Sequence, residues 1–152
     1  GSSLTDEAIE VEEGELERQG IPKTYVPFRN ANILSIAASW AEVLEASAIF
    51  IGAVEEDGSG YPDCRDTFIR SLNVSLNLAM EESFIIHTPL MWLNKAGVWE
   101  LSDQLGVLDL IRTQTLTCYE GILGDGCGSC PSCLLRSKGL QTYIENKKKR
   151  HE

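Results

Sequence analysis

Four of the five cysteines in this 152-residue chain fall within sixteen positions: Cys118, Cys127, Cys130 and Cys133, spaced C-x8-C-x2-C-x2-C. Two-residue gaps let thiolates converge on one ion from a tight turn, and Gly126 and Gly128 supply the backbone freedom such a turn requires. Four sulfurs suit tetrahedral zinc at about 2.3 Å per bond. A closed four-thiolate shell leaves no position for water, so such a centre is structural rather than catalytic. An iron–sulfur centre uses the same four thiolates and is the competing metal reading. Buried free thiols or chance disulfides are the plain alternative. An odd cysteine count without an apolar leader argues against a secreted disulfide scaffold. The cluster speaks for a metal and says little about a reaction.

A second set of residues offers ligand chemistry. Arg29, Asn30 and Asn32 precede or open a helical stretch, where ligands bind in open α/β sheets; helix capping and a surface charge are the plainer roles. Asp57, Tyr61, Asp63 and Arg65 lie on or beside a Gly/Pro-rich loop. There Tyr61 can stack on a flat ring, and Asp57 or Asp63 can accept from N–H donors. A decorated turn is the alternative. Lys95, at a helix start, is a candidate for neutralising phosphate or a solvated lysine. Cys64 has no base beside it in sequence and reads as a small packed residue. His87, in an apolar run, reads as a core histidine, and Trp40, Trp92 and Trp99 as core or interface.

The elements that must position these groups alternate in type. Residues 31–45 show helical spacing of Ile33, Leu34, Ile36, Ala37, Trp40, Ala41, Val43 and Leu44, with Asn30 or Asn32 as cap. Tyr25-Val26 is a brief extended run. Residues 48–54 are an unbroken apolar run, predicted as a strand buried on both faces, and residues 84–88 as a second strand. Between them the spacing of Phe68, Ile69, Leu72, Leu76 and Met80 predicts a helix over 66–81. Asn94 caps a further helix that turns Val98, Leu101 and Leu105 inward and stops at Gly106. A last helix starts near Ser132 and frays into the basic tail, Lys147 to His151. Two strands alternating with helices indicate an α/β domain with a parallel sheet, incomplete beside the five or more strands of a doubly wound one.

Composition narrows the classes. Hydrophobic residues are 43% and charged residues 24%, ordinary for a globular protein, and no apolar run approaches the ~18 residues of a membrane span. Thirteen basic against twenty-three acidic residues give a charge of −10, which argues against broad nucleic-acid binding. The acidic stretch Asp6 to Glu17 reads as a solvated arm and the basic end as a solvated tail.

Several blocks together resemble the 7-cyano-7-deazaguanine synthases. They are Val26-Pro27-Phe28-Arg29-Asn30-Ala31-Asn32-Ile33-Leu34-Ser35-Ile36-Ala37, Ile51-Gly52-Ala53-Val54-Glu55-Glu56-Asp57 running on through Gly60-Tyr61-Pro62-Asp63-Cys64-Arg65, and Cys118-Tyr119 with Cys127-Gly128-Ser129-Cys130-Pro131-Ser132-Cys133 and Leu135-Arg136-Ser137-Lys138-Gly139. The blocks keep the family's order and spacing over nearly the whole chain. The resemblance implies a Rossmann-like fold of the adenine-nucleotide alpha-hydrolase type. It also implies ATP-dependent conversion of 7-carboxy-7-deazaguanine and ammonia to the nitrile 7-cyano-7-deazaguanine in queuosine biosynthesis. Magnesium accompanies the nucleotide and zinc fills the four-cysteine site. Arg29, Asn30, Asp57, Tyr61, Asp63 and Arg65 become candidates for the substrate and Lys95 for the nucleotide.

The family's ATP-gripping loop, Ser-Gly-Gly-x-Asp-Ser, has no counterpart here; in the family it lies upstream of where this chain begins. Gly97 and Leu116 are smaller departures, touching local helix stability or pocket shape. The chain alone is expected not to hydrolyse ATP. The organisation expected is a partial α/β domain over 1–117 and a zinc-binding segment over 118–152, in a cytoplasmic homo-oligomer with no membrane or nucleic-acid partner. A non-catalytic zinc-stabilised interaction module is the alternative, and a related ATP pyrophosphatase acting on tRNA is disfavoured by the acidic charge.

Overall fold

A computed structural model of the chain describes residues 1–6, 8–11, 20–81 and 83–150. Most of the acidic arm (Glu7 and residues 12–19) and His151 of the basic tail lie outside the described residues. Two compact units emerge, Tyr25–Trp92, and Gly1–Thr24 with Leu93–Glu152. The expected boundary at 117/118 falls inside the second.

In the unit Tyr25–Trp92, helix α1 (Arg29–Val43), strand β1 (Ala48–Phe50), helix α2 (Asp66–Ala79) and strand β2 (Ile85–His87) follow in order. Two short 3-10 turns, Glu55–Ser59 and Pro62–Cys64, lie between β1 and α2. The strands pair in parallel, Ala48 with Ile85, Ile49 with Ile86 and Phe50 with His87. The fold is thus α/β with a two-stranded parallel sheet among the described residues. Leu34, Ala38, Ala53, Ile69, Phe84, Ile86 and Met91 form the core, with Phe68, Leu72, Leu76 and Met80 packed on it. The predicted α2 stripe therefore faces inward.

Among the described residues, Ile86 N of β2 and the backbone of Phe84 just before it meet side chains of α2. Asn73 and Asn77, one helical turn apart on α2, both donate to the Phe84 carbonyl, at 3.0 and 2.9 Å. Their own carbonyls accept from Ile86 N and Phe84 N. A strand edge closed in this way has few groups left to template further pairing.

Several expectations need correction. Neither Asn30 nor Asn32 caps α1. The cap position is Phe28, in the left-handed region at φ 60°, and its own side chain makes no capping bond. The inward face of α1 is the small stripe Ala31, Leu34, Ala38 and Ala41, whereas Ile33, Ile36, Trp40, Val43 and Leu44 are exposed. β1 is only three residues long and Phe50 is exposed, so this strand is not buried on both faces. His87 is no core histidine: it is exposed and stacks on Phe50 with ring centroids 4.8 Å apart. Trp40 and Trp92 are exposed, and Trp99 alone of the three tryptophans is core.

In the other unit, α3 (Lys95–Gln104), α4 (Leu108–Gln114) and α5 (Pro131–Lys149) carry the structure. Asn94 caps α3 as its sequence predicts, its Oδ1 accepting from Gly97 N at 2.8 Å, and Gly106 ends it at φ +70°. Trp99 and Ser102, not Leu105, are its buried residues, and Leu105 faces outward. Helix α4 was not visible in the periodicity. Helix α5 crosses α3 closely at Gly139, where a Cβ would come within 2.7 Å of the Lys95 Cβ. The basic tail does not fray as expected. It continues α5 and is pinned to α3: Lys147 and Tyr143 bond Asp103, and Arg150 bonds Glu100. No helix among the described residues is long and apolar enough to cross a membrane.

Candidate metal centre and ligand loop

The four clustered cysteines meet. Their sulfurs all lie within 4.8 Å of one another, and Cys127 Sγ stands 3.9 Å from Cys133 Sγ. Tetrahedral bonds of about 2.3 Å would separate sulfurs by roughly 3.8 Å, so the donor set fits a zinc-sized ion. The loop is shaped to allow this. Gly126 sits at φ +72°, and a Cβ on it would fall 2.2 Å from Cys133 Sγ and 3.1 Å from Cys118 Cβ. Only glycine leaves that space for sulfur. Cys130 is the residue before α5, and Cys133 lies in its first turn, with Pro131 opening the helix where a missing N–H is harmless.

Backbone and hydroxyl donors prepare the sulfurs. Glu120 N donates to Cys118 Sγ and Cys130 N to Cys127 Sγ, both at 3.3 Å, and Ser129 Oγ lies 3.5 Å from Cys127 Sγ. The Ser129 hydroxyl and the Cys130 and Ser129 amides bring the Cys127 thiol down to about 6. At Cys118, burial pushes upward but the amides of Ile122, Cys127 and Glu120 outweigh it, and the thiol is lowered. Burial pushes Cys133 up to about 12. A divalent cation is the natural replacement for the protons such a crowded set would otherwise keep.

Arg136 ties this centre to the helices, and the sequence reading gave it no role. From α5 its Nη1 donates to Thr117 Oγ1 at 2.7 Å, beside Cys118, and its Nη2 to the Ile111 and Arg112 carbonyls at 2.8 and 3.1 Å, near the end of α4. The guanidinium lies 5.0 Å from the Trp99 ring centroid. Ser132 Oγ donates to the Thr117 carbonyl at 2.9 Å, a second tether for the same strand of chain. An arginine three residues after the last cysteine was the available signal.

The ligand-loop candidates of the other unit gather around the start of α1. Asp63 is buried, and its Oδ2 accepts from Asn30 N at 2.8 Å. The Asn30 amide donates to the Asp63 carbonyl at 3.2 Å and contacts Cys64 Sγ at 3.3 Å. One Asp63 oxygen thus serves as an N-terminal cap for α1, across 33 positions of sequence. Burial, then Asp57 and Asp63, push the Cys64 thiol up, against Asn30 and Arg29, so Cys64 is a protonated thiol at neutral pH. Arg29 is exposed as the first residue of α1. Asp57 and Tyr61 are half-buried, and the Tyr61 ring lies 6.3 Å from that of Tyr25. Arg65 is exposed at the N-cap position of α2. Glu55 supplies the missing side-chain cap there, its Oε2 accepting from Asp66 N at 2.7 Å; local sequence gave no sign of this, because the two lie 11 residues apart. Lys95, in the unit of the cysteines, opens α3.

An α/β chain with a four-thiolate centre and a polar turn-rich loop after its first strand is the class that these elements define. The chain belongs to the queuosine biosynthesis protein QueC family, whose model matches residues 1–144. It is 57% identical over 146 residues to the 7-cyano-7-deazaguanine synthase of Staphylococcus haemolyticus (strain JCSC1435). That match takes in 96% of the chain and 64% of the relative's length.

Proposed function

We propose that this chain is the part of a 7-cyano-7-deazaguanine synthase that supplies the substrate loop and a structural zinc centre. The carrying observation is the 57% identity to a protein of that name over 96% of the chain. The reaction would take 7-carboxy-7-deazaguanine, ammonia and ATP. A carboxylate is a poor electrophile, because oxide is a poor leaving group. Adenylation releases pyrophosphate and makes AMP the leaving group, ammonia attack gives the amide, and a second adenylation lets the amide oxygen depart with AMP to leave the nitrile. Magnesium would accompany the nucleotide, and charge stabilisation around phosphates would dominate catalysis. The enclosing fold would be the doubly wound sheet, in a cytoplasmic homo-oligomer.

In this reading Arg29, with Arg65, attracts the substrate carboxylate, Asp57 accepts from the ring donors, and Tyr61 covers the heterocycle face. Asp63 and Asn30 hold the loop against the start of α1, leaving the second Asp63 oxygen for a ligand donor. Lys95 is the residue proposed for the nucleotide. Cys118, Cys127, Cys130 and Cys133 would hold zinc, which supplies fold stability and no reacting position.

The test uses the gene product as the cell makes it, supplied with 7-carboxy-7-deazaguanine, ammonia, ATP and magnesium, with the nitrile detected by mass spectrometry. Nitrile formation with pyrophosphate release is expected. Folded, metal-loaded protein that forms neither product overturns the synthase reading. Metal analysis should give one zinc per chain, and Cys130→Ser should lose it; unchanged metal content in that variant would overturn the ligand assignment.

A further inference from the structure

A cavity of about 350 Å³ opens beside the metal centre, within the unit that contains it. Of the four clustered cysteines, Cys127 and Cys133 line it, and Cys118 and Cys130 do not. Those two sulfurs are the pair 3.9 Å apart, and Cys127 is the half-buried member of a set whose other three are buried. Arg112 and Arg136 line the same space, with Asp125 paired to Arg112 at 2.9 Å. Thiolate reactivity follows access and nearby positive charge; the cavity gives access to this edge of the cluster, and Arg136, beside Cys133, is the cation there not paired to a carboxylate among the described residues.

We propose that the Cys127–Cys133 edge is a reversible oxidation site, at which a small hydroperoxide entering this cavity converts the pair to a disulfide. The Cys127 sulfur attacks a peroxide oxygen and the O–O bond breaks. The second oxygen leaves as water or alcohol after taking a proton, and Cys127 becomes a sulfenic acid. Arg112, paired to Asp125, and Arg136 line the cavity into which that oxygen departs. The Cys133 sulfur then attacks the Cys127 sulfur, the S–O bond breaks, and a water leaves. Two thiols and one hydroperoxide give one disulfide, one alcohol or water, and one further water; the sulfurs lose two electrons and the peroxide gains them. The sulfurs must close from 3.9 Å to about 2.0 Å. Gly128, next to Cys127, has no atom within 4 Å of where its Cβ would stand, so the backbone there has room to follow. Two of four ligands are removed in the step, so metal retention should fail with it. A dithiol reductant restores the pair.

The release step rests on the metal reading above; the disulfide does not. The experiment treats the full zinc-loaded chain with one equivalent of hydrogen peroxide. Metal released to a chromogenic chelator is followed while all five cysteines are mapped by differential alkylation and peptide mass spectrometry. The expected result is a Cys127–Cys133 disulfide forming in step with metal release, reversed by dithiothreitol and added zinc. Ser137→Phe, placing a ring on the α5 wall of the cavity, should slow both by at least about tenfold, since exchange rates follow access. A first disulfide containing Cys118 or Cys130, or metal loss with Cys127 still alkylatable, overturns the proposal. So does an unslowed, folded Ser137→Phe variant. Metal content before peroxide checks the zinc reading separately, and the cysteine map decides this one whether or not metal is found.

Discussion

Two glycines in the cysteine loop separate space from backbone conformation. Gly126 and Gly128 both have positive φ, +72° and +77°. An alanine at either position meets the left-handed penalty of roughly 1–2 kcal/mol. At Gly128 nothing lies within 4 Å of the new Cβ, so that penalty is the whole effect. At Gly126 the Cβ would stand 2.2 Å from Cys133 Sγ. Ordinary carbon–sulfur contact needs more than about 3.5 Å, so the sulfur must retreat by over about 1 Å. A metal bond of about 2.3 Å tolerates only ~0.2 Å, so Cys133 is lost as a ligand. If the roughly 10–16 kcal/mol of a structural zinc site is shared evenly among four ligands, that loss is about 2.5–4 kcal/mol, or roughly two to three powers of ten in affinity. Gly126→Ala should therefore bind zinc at least about a hundredfold more weakly than Gly128→Ala in chelator competition. Equal affinities in the two variants would refute the cradle argument, because both share the backbone strain and only one fills the space.

Three further outcomes follow from the same geometry. Glu45 holds φ 53° at the end of α1, where Glu45 N bonds the Glu42 carbonyl and Ala46 N the Ala41 carbonyl, a Schellman ending that favours glycine. Glu45→Gly should raise stability by about 0.5–1 kcal/mol in urea denaturation, and a loss there would refute it. Gly139→Ala should lower stability by about 1–3 kcal/mol despite alanine's higher helix propensity, because its Cβ would meet Lys95 at 2.7 Å; a gain would show that α3 and α5 yield without strain. The end of α5 should show a wide pH plateau. Arg150 holds the Glu100 carboxyl, and Lys147 then Tyr143 hold the Asp103 carboxyl, below the usual range. A lowered folded value means the attachment is fully present above the ordinary carboxylate range and is lost as pH falls through the lowered values. Lys147 and Arg150 are raised, so the basic limit lies above their ordinary values. Amide NMR of residues 143–150 should show melting only in strong acid or strong base, and melting near neutrality would remove the ion-pair account.

How much of this was legible in sequence depended on whether the deciding partner was local. Asn94 three residues before Gly97, the i, i+3, i+4 stripe of α2, and Gly106 after α3 were readable because cap, stripe and stop lie within one or two turns. The α1 face was misread because periodicity identifies a stripe without saying which of two competing stripes packs. Ala31, Ala38 and Ala41 allow close approach, and the larger Ile36 and Trp40 are left outside. The caps supplied by Asp63 and Glu55, and the Arg136 tether, depend on partners 33, 11 and up to 25 positions away, where composition offers no trace.

The meeting of the four cysteines was the most legible feature, because the spacing of thiols along a tight turn limits how far apart their sulfurs can stand. Spacing alone did not distinguish its edges. Cys127 and Cys130 share the same two-residue gap, yet one lines a cavity and the other is buried. Cys130 occupies the cap position of α5 and is buried, while Cys127 precedes the Gly128-Ser129 turn and lines the space that Arg112 and Arg136 also line. Four chemically identical thiols thus acquire unequal exposure to the same reagent from their different places around one turn and one helix start.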